Sequence, residues 1–340
     1  MDLELLDSLL AERGEPSFRA RQVWRWAARG AGGYEEMTNL PGPLREGLEQ
    51  QLAFSTLRAR EEAHAGDGTV KTLFETADGR PLEAVLMRYR DPPGADRRGR
   101  RSICVSSQSG CPLTCRFCAT GTMRFGRNLS ASEILDQALH FRRIEAIDHC
   151  VFMGMGEPML NLDAVLAACE RLPDLGITHR RTTISTVGWI PGIERLAESE
   201  MPVRLALSLH AADEALRSEL MPVNDRFPLR EVIDACRAFY ERRRRRVFIE
   251  YVMLAGVNDR YEQALALARA LRAGGESARS IFKVNLIPFN PSGTEFNGSG
   301  RESIAAFRAA LESRGIPATV RLTRGRDIAA ACGQLAASAA

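Results

Sequence analysis

Three cysteines within eight residues constrain this chain more than any other feature. Cys111, Cys115 and Cys118 have the spacing C-x3-C-x2-C in a segment whose neighbours are small or polar, as in a loop. Closely spaced cysteine thiolates hold iron–sulfur clusters, and a cluster with four iron corners normally takes four of them. A run that supplies three leaves one iron open, and an open metal position can bind a substrate or cosubstrate. The spacing therefore predicts a 4Fe–4S cluster with one available coordination site.

Two other interpretations of these cysteines stay open at this point. The same three thiolates would hold a zinc ion if Cys104 or Cys332 were the fourth ligand. Buried cysteines also act as small apolar core residues. We give that interpretation to Cys150, Cys169 and Cys236, because they lie in strand-like or helical runs. The polar surroundings of the cysteine loop make core packing a poor explanation there.

From residue 102 onward, strand-like and helical segments alternate. The predicted strands lie at 102–107, 149–154, 181–187, 203–209, 247–254 and 281–288. The predicted helices lie near 132–146, 162–171, 191–199, 213–219, 229–245 and 260–273. Ser130-x-x-Glu133 forms a capping box before the first of these helices. This order predicts an α/β protein whose parallel sheet curls into a partial (β/α)6 barrel, followed by a helix near 302–314 and a strand near 318–323.

The chain before the barrel has a different character. Residues 1–60 carry apolar and basic residues at helical spacing, which predicts a small N-terminal helical accessory domain. Residues 61–101 contain two β-rich runs around Asp78-Gly79, which predict a β-hairpin extension, and then a polar, basic loop from Asp91 to Arg101. We expect residues 102–340 to form the catalytic domain.

Small and polar residues follow several predicted strands at one end of the sheet, where α/β barrels place their chemistry. Gly156 and Glu157 follow the second strand, where glycine lets a ligand approach the backbone and a carboxylate can hold an ammonium group. The third, fourth and sixth strands lead into Ser185, into Ser208-Leu209-His210 and into a segment that contains Asn290. Together these residues predict one polar ligand lying across the barrel mouth.

Composition indicates the compartment. Eight cysteines in 340 residues are too few for a disulfide scaffold, and their clustering suits a reducing environment. The segment that starts at Met1 is acidic and lacks the basic region of a signal peptide. No apolar run reaches the roughly 18 residues of a membrane-spanning helix. We therefore expect a cytoplasmic protein with no membrane partner. The net charge of +3 excludes a general polycation and gives no guide to oligomeric state.

Further segments extend the pattern over nearly the whole chain. They are Phe18–Gln22, Glu35–Thr38, Cys104–Gln108, Arg127–Leu129, Val151–Pro158, Ser208–His210, Ile249–Leu254, Thr323–Ile328 and Ala330–Leu335. With the cysteine loop, they make the chain resemble the radical S-adenosylmethionine enzymes. Within that group it is most similar to the bacterial RNA methyltransferases RlmN and Cfr, which methylate adenosine.

The resemblance implies a set of site residues. Cys111, Cys115 and Cys118 would hold the 4Fe–4S cluster. Contacts to S-adenosylmethionine would come from Gly156, Glu157, Ser185, Ser208, Leu209, His210 and Asn290. The catalytic residues would be Cys332, Cys104 and Glu83.

The resemblance also implies a reaction that consumes two S-adenosylmethionine molecules per turnover. Cys332 would take a methyl group from the first. The second, cleaved reductively, would yield a 5′-deoxyadenosyl radical that removes hydrogen from the methylated thiol, and the carbon radical would add to the adenine ring. Glu83 would accept the ring proton. Cys104 would attack the Cys332 sulfur and release the product, leaving a disulfide between the two cysteines.

The family resemblance implies two candidate functions, and the cysteine spacing leaves a third open. The first is methylation of carbon 2 of an adenosine in 23S rRNA, with tRNA as a candidate second substrate, as in RlmN. The alternative is Cfr-type methylation of carbon 8, which gives antibiotic resistance. A zinc-bearing RNA-binding protein without catalysis is the third. Either enzyme would need a low-potential electron donor such as flavodoxin.

Arginine-rich segments are the candidate RNA contacts. We expect the N-terminal helical segment and the loop from Arg97 to Arg101 to bind the RNA backbone. The run from Arg242 to Arg246 is consistent with a solvated helix end or with RNA phosphate contact, and the sequence leaves both open.

Overall fold

One mixed sheet supports the molecule. The computed structural model describes residues 1–90, 98–275 and 278–336, and in these residues ten strands form that sheet. Its strands are β1 (Leu57–His64), β2 (Val70–Thr76), β3 (Pro81–Arg88), β4 (Arg101–Cys104), β7 (His149–Phe152), β8 (Thr182–Thr186), β9 (Arg204–Ser208), β10 (Val247–Met253), β11 (Phe282–Pro288) and β12 (Ala318–Val320). A separate ribbon pairs β5 (Gln108–Ser109) with β6 (Arg127–Asn128).

The parallel part of the sheet confirms the predicted partial barrel. Its strands follow the order β4-β7-β8-β9-β10-β11-β12. The first six overlap the six predicted strands, and β12 adds a further parallel strand through its pairing with β11. Because consecutive parallel strands lie side by side, the segments that follow them meet at one edge of the sheet. The fold is therefore the predicted α/β fold with a partial barrel.

Helices cover the parallel strands. They are α4 (Ala131–Ile144), α5 (Leu162–Arg171), α6 (Ile190–Glu198), α7 (Glu214–Leu220), α8 (Leu229–Arg243), α9 (Tyr261–Arg272), α10 (Ala278–Ile281) and α11 (Arg301–Glu312). The predicted capping box begins α4: the Ser130 hydroxyl accepts the N–H of Glu133 over 3.1 Å, and the Glu133 carboxylate accepts the N–H of Ser130 over 2.8 Å. No helix in the described ranges is both long and apolar enough to cross a membrane.

Three helices precede the sheet: α1 (Leu3–Glu12), α2 (Phe18–Arg29) and α3 (Gly42–Gln51). Their buried residues belong to the same apolar core as the barrel. The indole N–H of Trp24 also donates to Asp174 over 2.6 Å, which joins α2 to the segment after α5. The helical part is shorter than the predicted 1–60, because Leu57 begins strand β1. Most residues of β1 after Leu57 are exposed, so this edge strand lacks the apolar alternation that identifies a strand.

An antiparallel extension places strand β3 beside the barrel. Strands β2 and β3 form the predicted hairpin, with Gly79 in the left-handed region at a φ of 75°. Strand β3 then pairs with β4, and Val85 lies opposite Cys104. Side chains two residues apart on a strand share a face. Glu83 and Cys104 therefore lie on the same face of the sheet.

Candidate active site

A cavity opens at the carboxyl ends of the parallel strands, and we call it the main cavity. The cysteine loop, the segment after β7 and the ends of β8 to β12 all contribute to its lining. Its polar and sulfur-bearing lining includes Cys111, Cys115, Cys118, Gly156, Glu157, Ser185, Ser208, His210, Glu250, Arg321 and Cys332. Most of the site residues predicted from the sequence therefore meet in one place.

The cysteine loop is tightly folded. The N–H of Cys118 donates to the carbonyl of Cys115 over 3.1 Å. A Cβ atom at Gly121 would lie 2.6 Å from that same carbonyl oxygen, so only glycine fits there. Burial raises the pKa of Cys111 to about 12 and that of Cys115 well above its usual value. Because a metal binds the thiolate, metal binding has to offset the free-energy cost of deprotonating these buried thiols.

The donor set fits a cluster better than a single metal ion. Among the described residues, no three His, Cys, Asp or Glu side chains converge as a single-ion site requires. In an iron–sulfur cluster each cysteine binds a different iron, so the thiolates stand farther apart than around zinc. All three cysteines line the main cavity and so border one shared volume. Cys104 lines a different cavity and does not complete a zinc site with them.

Glu157 places a buried carboxylate at the main cavity. Its carboxylate is buried and accepts the N–H groups of Val187 and Met159 over 2.9 and 3.0 Å. Burial nevertheless raises its pKa to about 7, so a cationic partner is needed to keep it fully ionised. The adjacent Gly156 has a φ of 99°, and a Cβ atom there would lie 2.6 Å from Gln108. Only glycine allows this close packing.

The ends of β8 and β9 bring hydroxyl and imidazole groups to the cavity. The hydroxyls of Ser185 and Ser208 lie 3.3 Å apart. His210 has a φ of 59°, unusual for a residue with a side chain, and its Nδ1 accepts the N–H of Val252 over 3.0 Å. Burial lowers the pKa of His210 to about 3, so the ring is neutral. Leu209 does not line the main cavity: its side chain is fully buried in the core, its N–H donates to the carbonyl of Glu250 over 3.0 Å, and its carbonyl accepts the N–H of Ala211 over 2.8 Å.

Two buried oxygen atoms in the site have no hydrogen-bond donor within the described residues: Oε2 of Glu250 and Oδ1 of Asn290. Oε1 of Glu250 accepts from Asn285 over 2.8 Å, whereas the Nη1 atom of Arg321 lies 3.7 Å from Oε2. Leaving a buried acceptor without a donor costs about 1–3 kcal/mol. Such atoms mark positions where a polar ligand fits.

A second, smaller cavity lies beside the first, and we call it the side cavity. Cys104 and Asn290 line it, while Met153, Cys332 and Arg321 line both cavities. Cys104 and Cys332 are free thiols. Burial raises the pKa of Cys104 to about 12, whereas Cys332 is exposed, and the nearby Arg321 acts to lower the pKa of both thiols. Cys332 is thus accessible from both cavities, with Cys104 and the cluster loop on its two sides.

The segment that carries Cys332 is attached to the barrel by several hydrogen bonds. The amide of Asn290 donates to the carbonyl of Cys332 over 3.3 Å. The hydroxyl of Thr120 donates to the carbonyl of Leu335 over 2.6 Å, and Gln334 donates to Pro291 over 2.7 Å. These contacts explain how a segment without regular structure keeps the thiol at the junction of the cavities.

Glu83 lies outside the linings of both cavities. It is buried on β3, and its carboxylate accepts the N–H of Ala336 over 2.9 Å. The ammonium group of Lys71 lies 2.9 Å from its other oxygen. The structure therefore places Glu83 against the end of the Cys332 segment but not in contact with the main cavity.

Two charged residues of the cavity were not predicted from the sequence. Glu250 is a buried carboxylate in the otherwise apolar strand β10, and that interruption is the signal that could have identified it. Arg321 follows β12 and has no comparable signal in its local pattern. Its role depends on the parallel pairing that brings β12 next to β11.

The arginine-rich segments differ in how far their side chains are exposed and free of ion pairs with described residues. Arg21, Arg25 and Arg29 occupy one exposed face of α2, next to Phe18 and Trp26, and form no ion pair with any described carboxylate. We call this surface the α2 groove. Its residues are Phe18, Arg21, Gln22, Arg25, Trp26, Arg29 and Asn39.

The other two basic segments are less open. In the loop predicted to bind RNA, Arg97 lies outside the described residues, and Glu145 forms ion pairs with Arg98 and Arg101. The run from Arg242 to Arg246 precedes β10, and therefore lies at the edge of the sheet opposite the main cavity. That position favours a solvated helix end.

Comparisons with known protein families divide the chain into two matched regions. Residues 105–268 match the family described as "Radical SAM superfamily". Residues 1–53 match the family described as "Ribosomal RNA large subunit methyltransferase N-terminal domain". The first region holds the cysteine loop and most of the main cavity, and the second holds α1 to α3.

Relatives and a solved structure match almost the whole chain. A protein of Chloroflexus aurantiacus named "Probable dual-specificity RNA methyltransferase RlmN" is 46% identical over 98% of this chain and 91% of its own length. The "Dual-specificity RNA methyltransferase RlmN" of Anaeromyxobacter dehalogenans is 44% identical over 98% of this chain and 90% of its own. A crystal structure of a radical SAM methyltransferase from Sphaerobacter thermophilus superposes with a TM-score of 0.91, at 43% identity, covering 99% of this chain and 98% of that one.

Proposed function

Because the chain belongs to the RlmN family of radical S-adenosylmethionine RNA methyltransferases, whose cofactors are a 4Fe–4S cluster and S-adenosylmethionine, we propose that it methylates carbon 2 of an adenosine in 23S rRNA. We further propose tRNA as its second substrate, in line with the dual specificity that the relatives' names state. The observation that carries the proposal is the position of Cys332, which lines both the main cavity and the side cavity that holds Cys104.

Cys111, Cys115 and Cys118 are the proposed cluster ligands. Bound there, the cluster supplies the electron that cleaves S-adenosylmethionine. Glu157 and Gly156 would hold the amino-acid part of S-adenosylmethionine. The rest of that molecule would contact Ser185, Ser208, Leu209, His210 and Asn290. Two observations support this assignment. The Oδ1 atom of Asn290 has no hydrogen-bond donor among the described residues, and burial raises the pKa of Glu157. A donor and a cationic group of the ligand would satisfy these two side chains.

Cys332 is the proposed methyl carrier, and two S-adenosylmethionine molecules are used in each turnover. Its access from the main cavity suits methyl transfer to its sulfur. Its access from the side cavity suits later attack by Cys104, which would form a disulfide and release the methylated base. Arg321 acts to lower the pKa of both thiols and so favours the thiolates that these steps require.

Glu83 is the proposed acceptor of the adenine ring proton. Its buried carboxylate contacts the segment that carries Cys332 through the N–H of Ala336. A proton acceptor must come within hydrogen-bond reach of the proton it removes. Since Glu83 lies outside the cavity linings, this role requires the Cys332 segment to shift when RNA binds.

We propose three domains: the accessory domain at 1–60, the extension at 61–101 and the catalytic domain at 102–340. The α2 groove is the proposed RNA contact of the accessory domain. Successive arginines four residues apart on a helix stand about 6 Å apart. A row of guanidinium groups beside aromatic side chains is the combination that binds phosphates and stacks bases in single-stranded RNA. With RNA as its substrate, the protein would act in the cytoplasm, where a flavodoxin-type donor would reduce it.

The decisive experiment uses an unmethylated 23S rRNA fragment with reconstituted protein, S-adenosylmethionine and a reductant under anaerobic conditions. Mass spectrometry of the nucleosides should show 2-methyladenosine. A product that is 8-methyladenosine would contradict the proposal in favour of the Cfr-type reaction. Absence of methylated adenosine, with 5′-deoxyadenosine still formed, would show that the substrate is wrong. Iron and sulfide analysis of the same preparation tests the zinc alternative directly.

A further inference from the structure

Arg217 is a fully buried cation beneath the cysteine loop, and none of the steps assigned above uses it. Its relative exposure is 0%, and it is the bulkiest of the fully buried side chains. It lies on α7, whose Leu220 carbonyl accepts the N–H of Arg116 from the cysteine loop over 3.1 Å. Helix α7 and Cys115 contact the same small apolar cluster. The helix that carries Arg217 is therefore hydrogen-bonded to the cysteine loop. The guanidinium group itself contacts Val187, which lines the main cavity together with the three cysteines.

The acceptors around Arg217 are uncharged. The guanidinium group donates to the carbonyl of Val187 over 2.6 Å, to the carbonyl of Leu209 over 3.3 Å and to the side-chain oxygen of Asn224. The amide group of Asn224 lies between Arg217 and the carboxylate of Glu214, to which it donates over 2.8 Å. Within the described residues, Arg217 forms no salt bridge, so its positive charge is not neutralised by direct contact.

This arrangement is unusual because burying a cation without a carboxylate is costly. Burial lowers the pKa of Arg217 to about 10, so the side chain still carries its charge at neutral pH. Arg116, next to Cys115 in the sequence, provides a contrast. Its side chain is 42% exposed and forms ion pairs with Glu219 and Glu295. Water and those carboxylates screen its charge, whereas the charge of Arg217 acts through a low-dielectric interior.

We propose that Arg217 raises the reduction potential of the cluster held by Cys111, Cys115 and Cys118. Reduction transfers one electron from a low-potential donor to the cluster and makes it more negative by one charge. A fixed, buried positive charge stabilises the reduced cluster more than the oxidised one, and local charge is among the factors that set cluster potentials. Three hydrogen bonds hold the guanidinium group in place, so the interaction is available without rearrangement.

The test is a redox titration of the full-length reconstituted protein without RNA. We would compare wild type with R217Q, R217M, R217K and the control R116Q, after confirming fold and iron content. Methionine at 217 is included because apolar replacement of a buried charge is often tolerated. For R217Q and R217M we expect at least a tenfold lower ratio of reduced to oxidised cluster at a fixed potential. For a one-electron couple, this corresponds to a reduction potential that is lower by about 59 mV. In R217K and R116Q this ratio should stay within about twofold of the wild-type value. R217K keeps the buried charge, and R116Q removes a charge that is screened.

Two results would overturn the proposal. One is a wild-type potential in both R217Q and R217M at full iron content, which would mean that the charge has no effect on the cluster. The other is an equal drop in R217K, which would mean that the guanidinium geometry and not its charge matters. Because the titration needs neither RNA nor methyl transfer, its result is independent of the methylated carbon and of the RNA substrate.

Discussion

The ammonium nitrogen of Lys71 lies 2.9 Å from the Oε1 atom of Glu83, on adjacent strands of the antiparallel extension. Only Lys71 and Lys283 are lysines among the 46 basic residues of the chain. The second oxygen of Glu83 accepts the N–H of Ala336, just beyond the Cys332 segment. The carboxylate therefore lies between the Lys71 ammonium group and the end of the segment that carries Cys332.

Glu83→Gln should block proton removal while keeping the volume of the side chain. We expect methylated product to fall by about a hundredfold or more, since a positioned base contributes roughly that much. A covalent protein–RNA adduct should accumulate, visible as a band of low mobility on a denaturing gel. Glu75→Gln, on the neighbouring strand β2 in a surface pair with Arg60, is the matched control and should leave turnover unchanged. Wild-type product yield from Glu83→Gln would show that another group takes the proton.

Cys104→Ala and Cys332→Ala should fail at different stages. Cys332→Ala removes the methyl carrier, so no methylated RNA and no adduct should form, while iron content stays at the wild-type level. Cys104→Ala leaves the carrier but removes the thiol that releases it, so the adduct should accumulate. Intact mass spectrometry of protein and RNA separates the two results. Cys169→Ala, a buried core cysteine of α5, is the control for cysteine loss in general. Free methylated product at normal yield from Cys104→Ala would rule out its role in release.

The sequence predicted the barrel well because the information for it is local. Each parallel strand and each covering helix has its own apolar pattern, and the capping box before α4 involves residues three apart. The cysteine loop and Glu157 were predictable for the same reason, since spacing and strand ends identify them. Strand β1 was missed because its residues face solvent at a sheet edge and show no alternation.

What the sequence could not provide were relationships between distant segments. Arg321 reaches the cavity only because β12 pairs with β11, and Arg217 lies near the cysteine loop only because α7 packs beneath it. The position of Glu83 outside the cavity linings also depends on tertiary structure. Buried charges of this kind depend on packing, and no periodic pattern reports packing between segments so far apart in the chain.

The elevated pKa of Glu157 predicts a pH effect on the stability of the ligand-free protein. Burial raises the pKa from 4.5 to about 7, so between these values the folded state binds more protons than the unfolded state. The free energy of unfolding should therefore fall as pH rises from about 4.5 to about 7, by an amount on the order of 3 kcal/mol from this group alone. Glu157→Gln has no titrating group here. The difference in the free energy of unfolding between wild type and this variant, measured by urea unfolding at several pH values, should therefore change between about pH 4.5 and pH 7. A pH-independent difference would contradict the assigned pKa.

The α2 groove predicts how RNA binding responds to salt. Replacing Arg21, Arg25 and Arg29 together by Gln should weaken binding of an RNA fragment by on the order of tenfold or more at about 50 mM salt. Because each lost phosphate contact removes about 0.7–0.9 from the slope of log affinity against log salt, the slope should fall by about two to three. Filter binding or fluorescence anisotropy across a salt series measures both quantities.

The matched control for this surface is replacement of Arg242, Arg244 and Arg246 by Gln. It changes the net charge equally, but these residues lie at the edge of the sheet opposite the main cavity. If the α2 groove binds the RNA backbone, only the first triple variant should change the salt slope. Equal losses in both variants would indicate a non-specific effect of net charge. A loss confined to the second variant would move the RNA contact to the far edge of the sheet, in which case the RNA would have to extend around the barrel to reach Cys332.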